Sequence, residues 1–299
     1  MNLIKPKQLQ IGDKIRFIAP SGSVDQPKIE KSVEYFTKKG YKIELGKHLF
    51  AKNDYLAGND EDRLCDLHEA FEDKSTKAII CARGGYGALR LLDKIDYEII
   101  KNNPKIFCGY SDITLLNAMF LRHANLITFS GPMAQSDFSD AVNDYTEKEF
   151  FNTLSRNLTE ILPTNLKVYN KGDAEGILFG GNLSTLASLC GRNFVPEAKF
   201  ILLIEDLNEP NYKIDRYITQ LLGINSFRAN LAAILLGDFL AIEDRAVFEK
   251  YFMELGKEID VPIYGGYPLS HSALKSTIPI GAYSTVTNGS LKISDYLAL

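Results

Sequence analysis

Short apolar runs alternate with amphipathic stretches along the first half of the chain. KIRFIAPSG (14–22) reads as a strand, and PKIEKSVEYFTKKG (27–40) carries apolar residues at helical spacing before a closing glycine. YKIEL gives a second strand, and DEDRLCDLHEAFED (60–73) a helix with acids in its first turn, where the helix dipole favours them. KAIICARGGYG (77–87) is a buried strand running into a glycine-rich bend, with ALRLLDKI expected as the helix behind it. KIFCG is the next strand, the helix after it spans 112–121, and NLITFSGPM (125–133) follows. Strands separated by helices imply parallel crossovers and a helix-covered sheet. In such sheets sites gather at the carboxyl ends of the strands, where Ser111 and the GGYG bend fall.

Around 163–176 the pattern turns polar and loop-like. Beyond it come ILFGGNLSTLASLCG, KFILLIEDLNEP, a helix from YKIDRYITQLLG, the strand NLAAILLGDF, another helix and VPIYGGYP. The tail alternates and holds Asn288-Gly289, a two-residue hairpin signal. The expected fold class is therefore α/β with two domains. Residues 1–163 form a flavodoxin- or Rossmann-like parallel-sheet domain, 164–176 a linker, and 177–299 a smaller α/β domain with added antiparallel strands.

Within the 299 residues the net charge is −4, so no basic balance argues for nucleic acid or an anionic membrane. No run of about 18 apolar residues could span a membrane, and the first residues lack the apolar core of a signal peptide. Cys65, Cys81, Cys108 and Cys190 form no CxxC pair, and Cys81 and Cys108 sit in apolar runs. Free buried thiols fit a reducing cytoplasm.

The stretch KIFCGYSDITLL puts Ser111 where a strand must turn into a helix. Such a bend pushes a hydroxyl into a cleft, and the helix start offers backbone N–H groups to a developing oxyanion. GYSDI lacks the second glycine of GxSxG, and a serine before a helix is also what an N-cap looks like. A serine nucleophile needs a base. His123 ends the following helix, about 18 Å away at 1.5 Å per residue, His68 lies within a helix, and His48 ends a strand region. His271, in the small-residue loop PLSHSALKS, can face a cleft or stay an exposed loop histidine. A carboxylate should orient the base. Glu205, near the end of an apolar strand, is the candidate, with Asp206 on the opposite face and Glu209 beyond the strand. The CARGGYGAL bend could bring backbone N–H groups to an oxyanion or cradle a phosphate, although it matches neither GxxxxGK[ST] nor a full GxGxxG. Arg83 could hold a substrate carboxylate or pair with a strand-end acid, and Tyr86 is a second candidate for substrate contact. No clustered His, Cys or carboxylate side chains suggest a metal, and no cofactor is expected.

YLAGNDEDRLCDL, ARGGYGALRLL, FCGYSDITLL, TFSGPM, FGGNLSTLASLCG, LIEDLNEPNYKIDRYITQL and PIGAYS, in this order from about Gly12 to Pro279, together resemble the LD-carboxypeptidases, the murein tetrapeptide carboxypeptidases. The resemblance implies Ser111 as nucleophile, Glu205 as charge-relay acid and His271 as base, with the backbone N–H groups of Gly85 and Asp112 as oxyanion donors. It also implies a cleft between the domains, a homodimer, and hydrolysis of the L,D-bond that releases terminal D-alanine from a muropeptide. The family writes glycine beside the histidine, and this chain reads GYPLSHS, with Ser270 there. A relative of the same fold, the microcin C immunity peptidase, cleaves aminoacyl-nucleotide analogues, which is the alternative reading. A reading of another class is a nucleotide-binding module using the GGYG bend, with Ser111 only capping a helix.

Overall fold

In the computed structural model, which describes residues 2–298, the apolar runs of the first half become β1 (Lys14–Ile18), β2 (Lys42–Leu45), β3 (Thr76–Cys81), β4 (Ile106–Cys108) and β5 (Thr128–Ser130). All five pair in parallel, in the order β2-β1-β3-β4-β5. That order reverses between β1 and β3, which is where a doubly wound sheet opens a crevice beyond its carboxyl edge. The β1 and β3 loops meet there, the amide of Gly22 donating to the carbonyl of Gly84 at 3.0 Å.

The second sheet contains β6 (Leu158–Ile161), β7 (Lys167–Asn170), β8 (Ala174–Asn182), β9 (Phe200–Leu207), β10 (Leu231–Leu240), β11 (Ile263–Gly265), β13 (Tyr283–Thr287) and β14 (Ser290–Ser294). Its order is β6-β14-β13-β8-β9-β10-β11-β7, with β8 to β11 parallel and the flanking strands antiparallel. The turn between β13 and β14 puts Asn288 at φ +52° and Gly289 at φ +81°, the double left-handed conformation that an Asn-Gly hairpin supplies. Along β9 every residue but the last is buried, Phe200 to Ile204 being at most 2% exposed. Each such side chain contributes roughly 1.5–3 kcal/mol. Five in a row outweigh the cost of carrying the next residue, Glu205, into the interior.

Three expectations need correction. The segment 164–176, expected as a linker, holds β7 and the start of β8. β7 is an edge strand with no fully buried residue, so its polar composition reads as loop. The domain limits are also crossed, because β6 joins the second sheet through β14, and β12 (Ile278–Ile280) returns to pair antiparallel with β5. ALRLLDKI is not a helix beyond one 3-10 turn, Ala88–Arg90. The chain restarts as a helix at Tyr97, where the Asp96 carboxylate accepts from the Glu98 and Ile99 amides.

Candidate active site

Ser111 directly follows the Gly109-Tyr110 bend after β4 and sits at φ +62°, a left-handed conformation costly for a residue with a Cβ. The 3-10 turn Ser111–Ile113 leads into the helix Thr114–Ala124, and neither start has a side-chain cap. The N-cap reading of Ser111 is thereby overturned: Ser111 is the first residue of the 3-10 turn, in a left-handed conformation, and Tyr110 holds the cap position. Gly84 of the neighbouring bend allows this turn to approach. A Cβ on Gly84 would lie 2.9 Å from the Ser111 Cβ and 3.2 Å from its Oγ. The amides of Gly85 and Asp112 make no hydrogen bond among the described residues, so both remain available to an incoming acceptor.

Two buried charges fix the GGYG bend. The Asp112 carboxylate accepts from the Ala88 amide at 2.9 Å, and burial raises its pKa above the usual carboxylate value. Arg63, 1% exposed, donates from Nη1 to the carbonyls of Pro20 (2.7 Å) and Gly87 (2.8 Å) and is paired with Asp60. One guanidinium thus ties the β1 loop to the β3 bend. Nothing in the apolar pattern singled out Arg63. The signal was an Asp-x-x-Arg spacing in the helix 60–72, with the arginine on its buried side.

Glu205 projects from β9 to the His271 loop, and its Oε2 lies 2.7 Å from the imidazole Nδ1. The carboxylate is 1% exposed and its Oε1 has no partner among the described residues. Burial raises its pKa and the His271 contact opposes the rise. Strand alternation sends Asp206 the other way, where its oxygens accept from Asn182 Nδ2 (2.9 Å) and the Ser184 amide (2.8 Å). Glu209 lies past the strand and engages Lys213 at 3.4 Å. Tyr110, adjacent to Ser111, packs in a T-shaped arrangement with His271, ring centroids 5.1 Å apart, which brings the imidazole beside the serine turn.

A latch joins the two halves. Thr114, three residues after Ser111, accepts through Oγ1 from the Asn182 amide at 3.0 Å. Asn182 is in register with Glu205. Gly181 makes the approach possible, since a Cβ there would meet Thr114 Oγ1 at 2.5 Å.

The family model described as the LD-carboxypeptidase N-terminal domain matches residues 15–131, and the one described as its C-terminal domain matches 175–286. The chain belongs to the LD-carboxypeptidase family. A Bacillus subtilis relative named "Probable murein peptide carboxypeptidase" is 37% identical, over 93% of this chain and 90% of its own length. The murein tetrapeptide carboxypeptidase of Pseudomonas aeruginosa is 33% identical, over 94% of this chain and 95% of its own. Among solved structures, an MccF-like protein from Bacillus anthracis superposes with a TM-score of 0.91 at 29% identity, covering 97% of this chain and 99% of that one.

In this member of the family Ser270 adopts φ +45°, the left-handed region in which glycine is unstrained. A glycine in the motif at this position thus has a backbone reason. Arg83 is exposed and donates to the Ser23 carbonyl at 2.8 Å rather than to an acid. Tyr86 is 47% exposed and packs in a T-shaped arrangement with Tyr55, ring centroids 5.8 Å apart. The other histidines are engaged elsewhere: His48 near Asp62, His68 with the Asp96 amide and His123 with the Asn193 carbonyl. Among the described residues no group of three or more His, Cys, Asp or Glu side chains is placed to hold a metal, and no helix is long and apolar enough to cross a membrane.

Proposed function

We propose that this LD-carboxypeptidase is serine-type and hydrolyses the L,D-bond that releases terminal D-alanine from a murein tetrapeptide, with Ser111, Glu205 and His271 as its triad. The observation that carries this reading is the buried Glu205–His271 hydrogen bond, latched to the strained Ser111 turn. Glu205 fixes the tautomer with the proton on Nδ1, leaving Nε2 free to take the Ser111 proton as Oγ attacks the carbonyl. The amides of Gly85 and Asp112 receive the developing oxyanion. His271 returns the proton to the leaving D-alanine amine, and water then cleaves the acyl-enzyme by the same route. Arg83 is the candidate for the substrate carboxylate. The names of the Bacillus and Pseudomonas relatives support the substrate class.

The exposed Tyr55–Tyr86 pair and the likeness to an MccF-like structure favour one further substrate, an aminoacyl-nucleotide analogue whose base could stack on these rings. We also infer a homodimer working in a reducing cytoplasm, the latter supported by the buried free thiols Cys81 and Cys108. Purified enzyme is incubated with murein tetrapeptide and with an aminoacyl-nucleotide analogue, and products are read by mass spectrometry. Loss of one alanine from the tetrapeptide is expected. No hydrolysis of it by fully folded enzyme would reject the reading.

A further inference from the structure

The end of the first sheet opposite Ser111 carries a second concave site. At the amino ends of β3 and β4 a cavity of about 300 Å³ is lined by Lys5, Lys7, Lys74, Lys77, Lys105 and Asn103, among others, and none of its lining residues is acidic. This clustering runs against the charge of the chain, which is −4 overall. The nearest carboxylate in sequence, Asp73, already accepts from Lys14, Ser75 and Thr76. Lys5 engages Asp295 at 2.5 Å, and Lys74 donates to Asn103.

Lys105 is the decisive residue. It is 6% exposed and lines the cavity, yet it has neither an ion-pair nor a hydrogen-bond partner among the described residues. Most of the side chain is buried while its nitrogen, which is not fully enclosed, opens on the cavity, so its donors are left for solvent or an anion. Burial, with Lys74 and Lys77 adding to it and Asp73 opposing, pulls its pKa down to about 8, so at neutral pH it still carries its proton. Lysine ammonium groups suit phosphate as point charges, and the volume accommodates a phosphate or diphosphate group.

We propose that this lysine-lined cavity binds a phosphate-bearing anion, at a site separate from the peptidase cleft. The ligand is multivalent and compact, held by Lys105 at the bottom and by Lys74 and Lys77 at the rim. Binding is independent of Ser111.

The full chain is titrated with sodium pyrophosphate, inorganic phosphate, glycerol phosphate and citrate at pH 7, against sodium chloride of equal ionic strength, with thermal unfolding as the readout. Pyrophosphate is expected to raise the midpoint beyond chloride. Lys105→Met should keep or raise the midpoint without ligand and move the half-maximal pyrophosphate concentration up at least ten-fold. Lys77→Gln, at a less buried position, should weaken binding several-fold and serves if the Met variant does not fold. Ser111→Ala should respond like the wild type. Glycerol phosphate acting as well as phosphate assigns the site to phosphate esters, and phosphate or pyrophosphate acting alone assigns it to the free ion. A shift no larger than that of chloride, an equal response to citrate, or a full response in both lysine variants would overturn the proposal.

Discussion

The two halves of the candidate site hold their reactive groups by different physics. On the first sheet, Ser111 is presented by the backbone: a left-handed turn, a glycine at Gly84 where a Cβ would come within 2.9 Å of the Ser111 Cβ, and two unpaired amides. On the second, Glu205 and His271 are presented by electrostatics, a desolvated carboxylate whose Oε2 is satisfied by one imidazole. Strain tolerates change at the side chain but not in the backbone around it. Desolvation tolerates neither loss of the partner nor entry of water. Substitutions on the two halves should therefore separate activity from stability differently.

The largest effect is expected at Ser111. Ser111→Ala should lower kcat/KM by about 10⁴ to 10⁶ while leaving the unfolding midpoint within a few degrees, because the strained turn remains. Retention of a tenth of the activity would reject the nucleophile.

Glu205→Gln should cost about 10⁴ in turnover, with no loss of stability at neutral pH. Its folded-state pKa is raised by burial, so the protonated form is the one favoured by folding. That contribution is complete below the unfolded value of 4.5 and is lost as pH rises through the folded pKa. The glutamine variant should therefore lose less stability than the wild type between pH 4.5 and neutrality. Asp206→Asn should do the reverse, costing stability, since Asp206 anchors Asn182 and Ser184, but less activity than Glu205→Gln. A Glu209→Gln variant that is crippled beside an active Glu205→Gln would move the acid out of the strand.

Breaking the latch tests whether the halves act together. Thr114→Val keeps the shape but leaves the Asn182 amide buried without its acceptor. A cost of about 1–3 kcal/mol in stability is expected, together with a fall in kcat larger than the change in KM. An unchanged kcat would show that the Ser111 turn needs no alignment from the second sheet.

The legibility of these features in the sequence follows their range. The parallel strands β1 to β5 and the Asn288-Gly289 hairpin are local patterns and could be read directly. The Ser111 turn was visible as a strand-to-helix junction, but its strain was not, because an N-cap gives the same letters. Glu205 and His271, 66 positions apart, could be paired only through the order of the motifs. What escaped was long-range or locally ambiguous. β12 is three residues whose partner lies in the other half of the chain, β7 is an exposed edge, and Arg63 reaches loops 24 and 43 positions away. The run Ala88–Ile95 reads as a helix from its mix of apolar and charged letters, and Ala88, Leu91 and Leu92 are indeed buried, yet only one 3-10 turn forms and Asp96 restarts the chain.

The smallest expected effect concerns Ser270, the one position where this chain departs from its family beside the base. At φ +45° a side chain costs roughly 1–2 kcal/mol relative to glycine. Glycine gives back roughly 0.5–1 kcal/mol through the greater freedom of the unfolded chain. Ser270→Gly should therefore stabilise the protein by about 0.5 kcal/mol, with turnover within about two-fold of wild type because the loop keeps its path. Ser270→Ala retains the strain and should show no gain, which makes it the control for loss of the hydroxyl. Stabilisation by alanine equal to that by glycine would place the effect in the buried hydroxyl rather than in the backbone. A large drop in turnover with Ser270→Gly would mean that strain at this residue, like that at Ser111, helps to set the position of His271, so that the base also depends on its backbone.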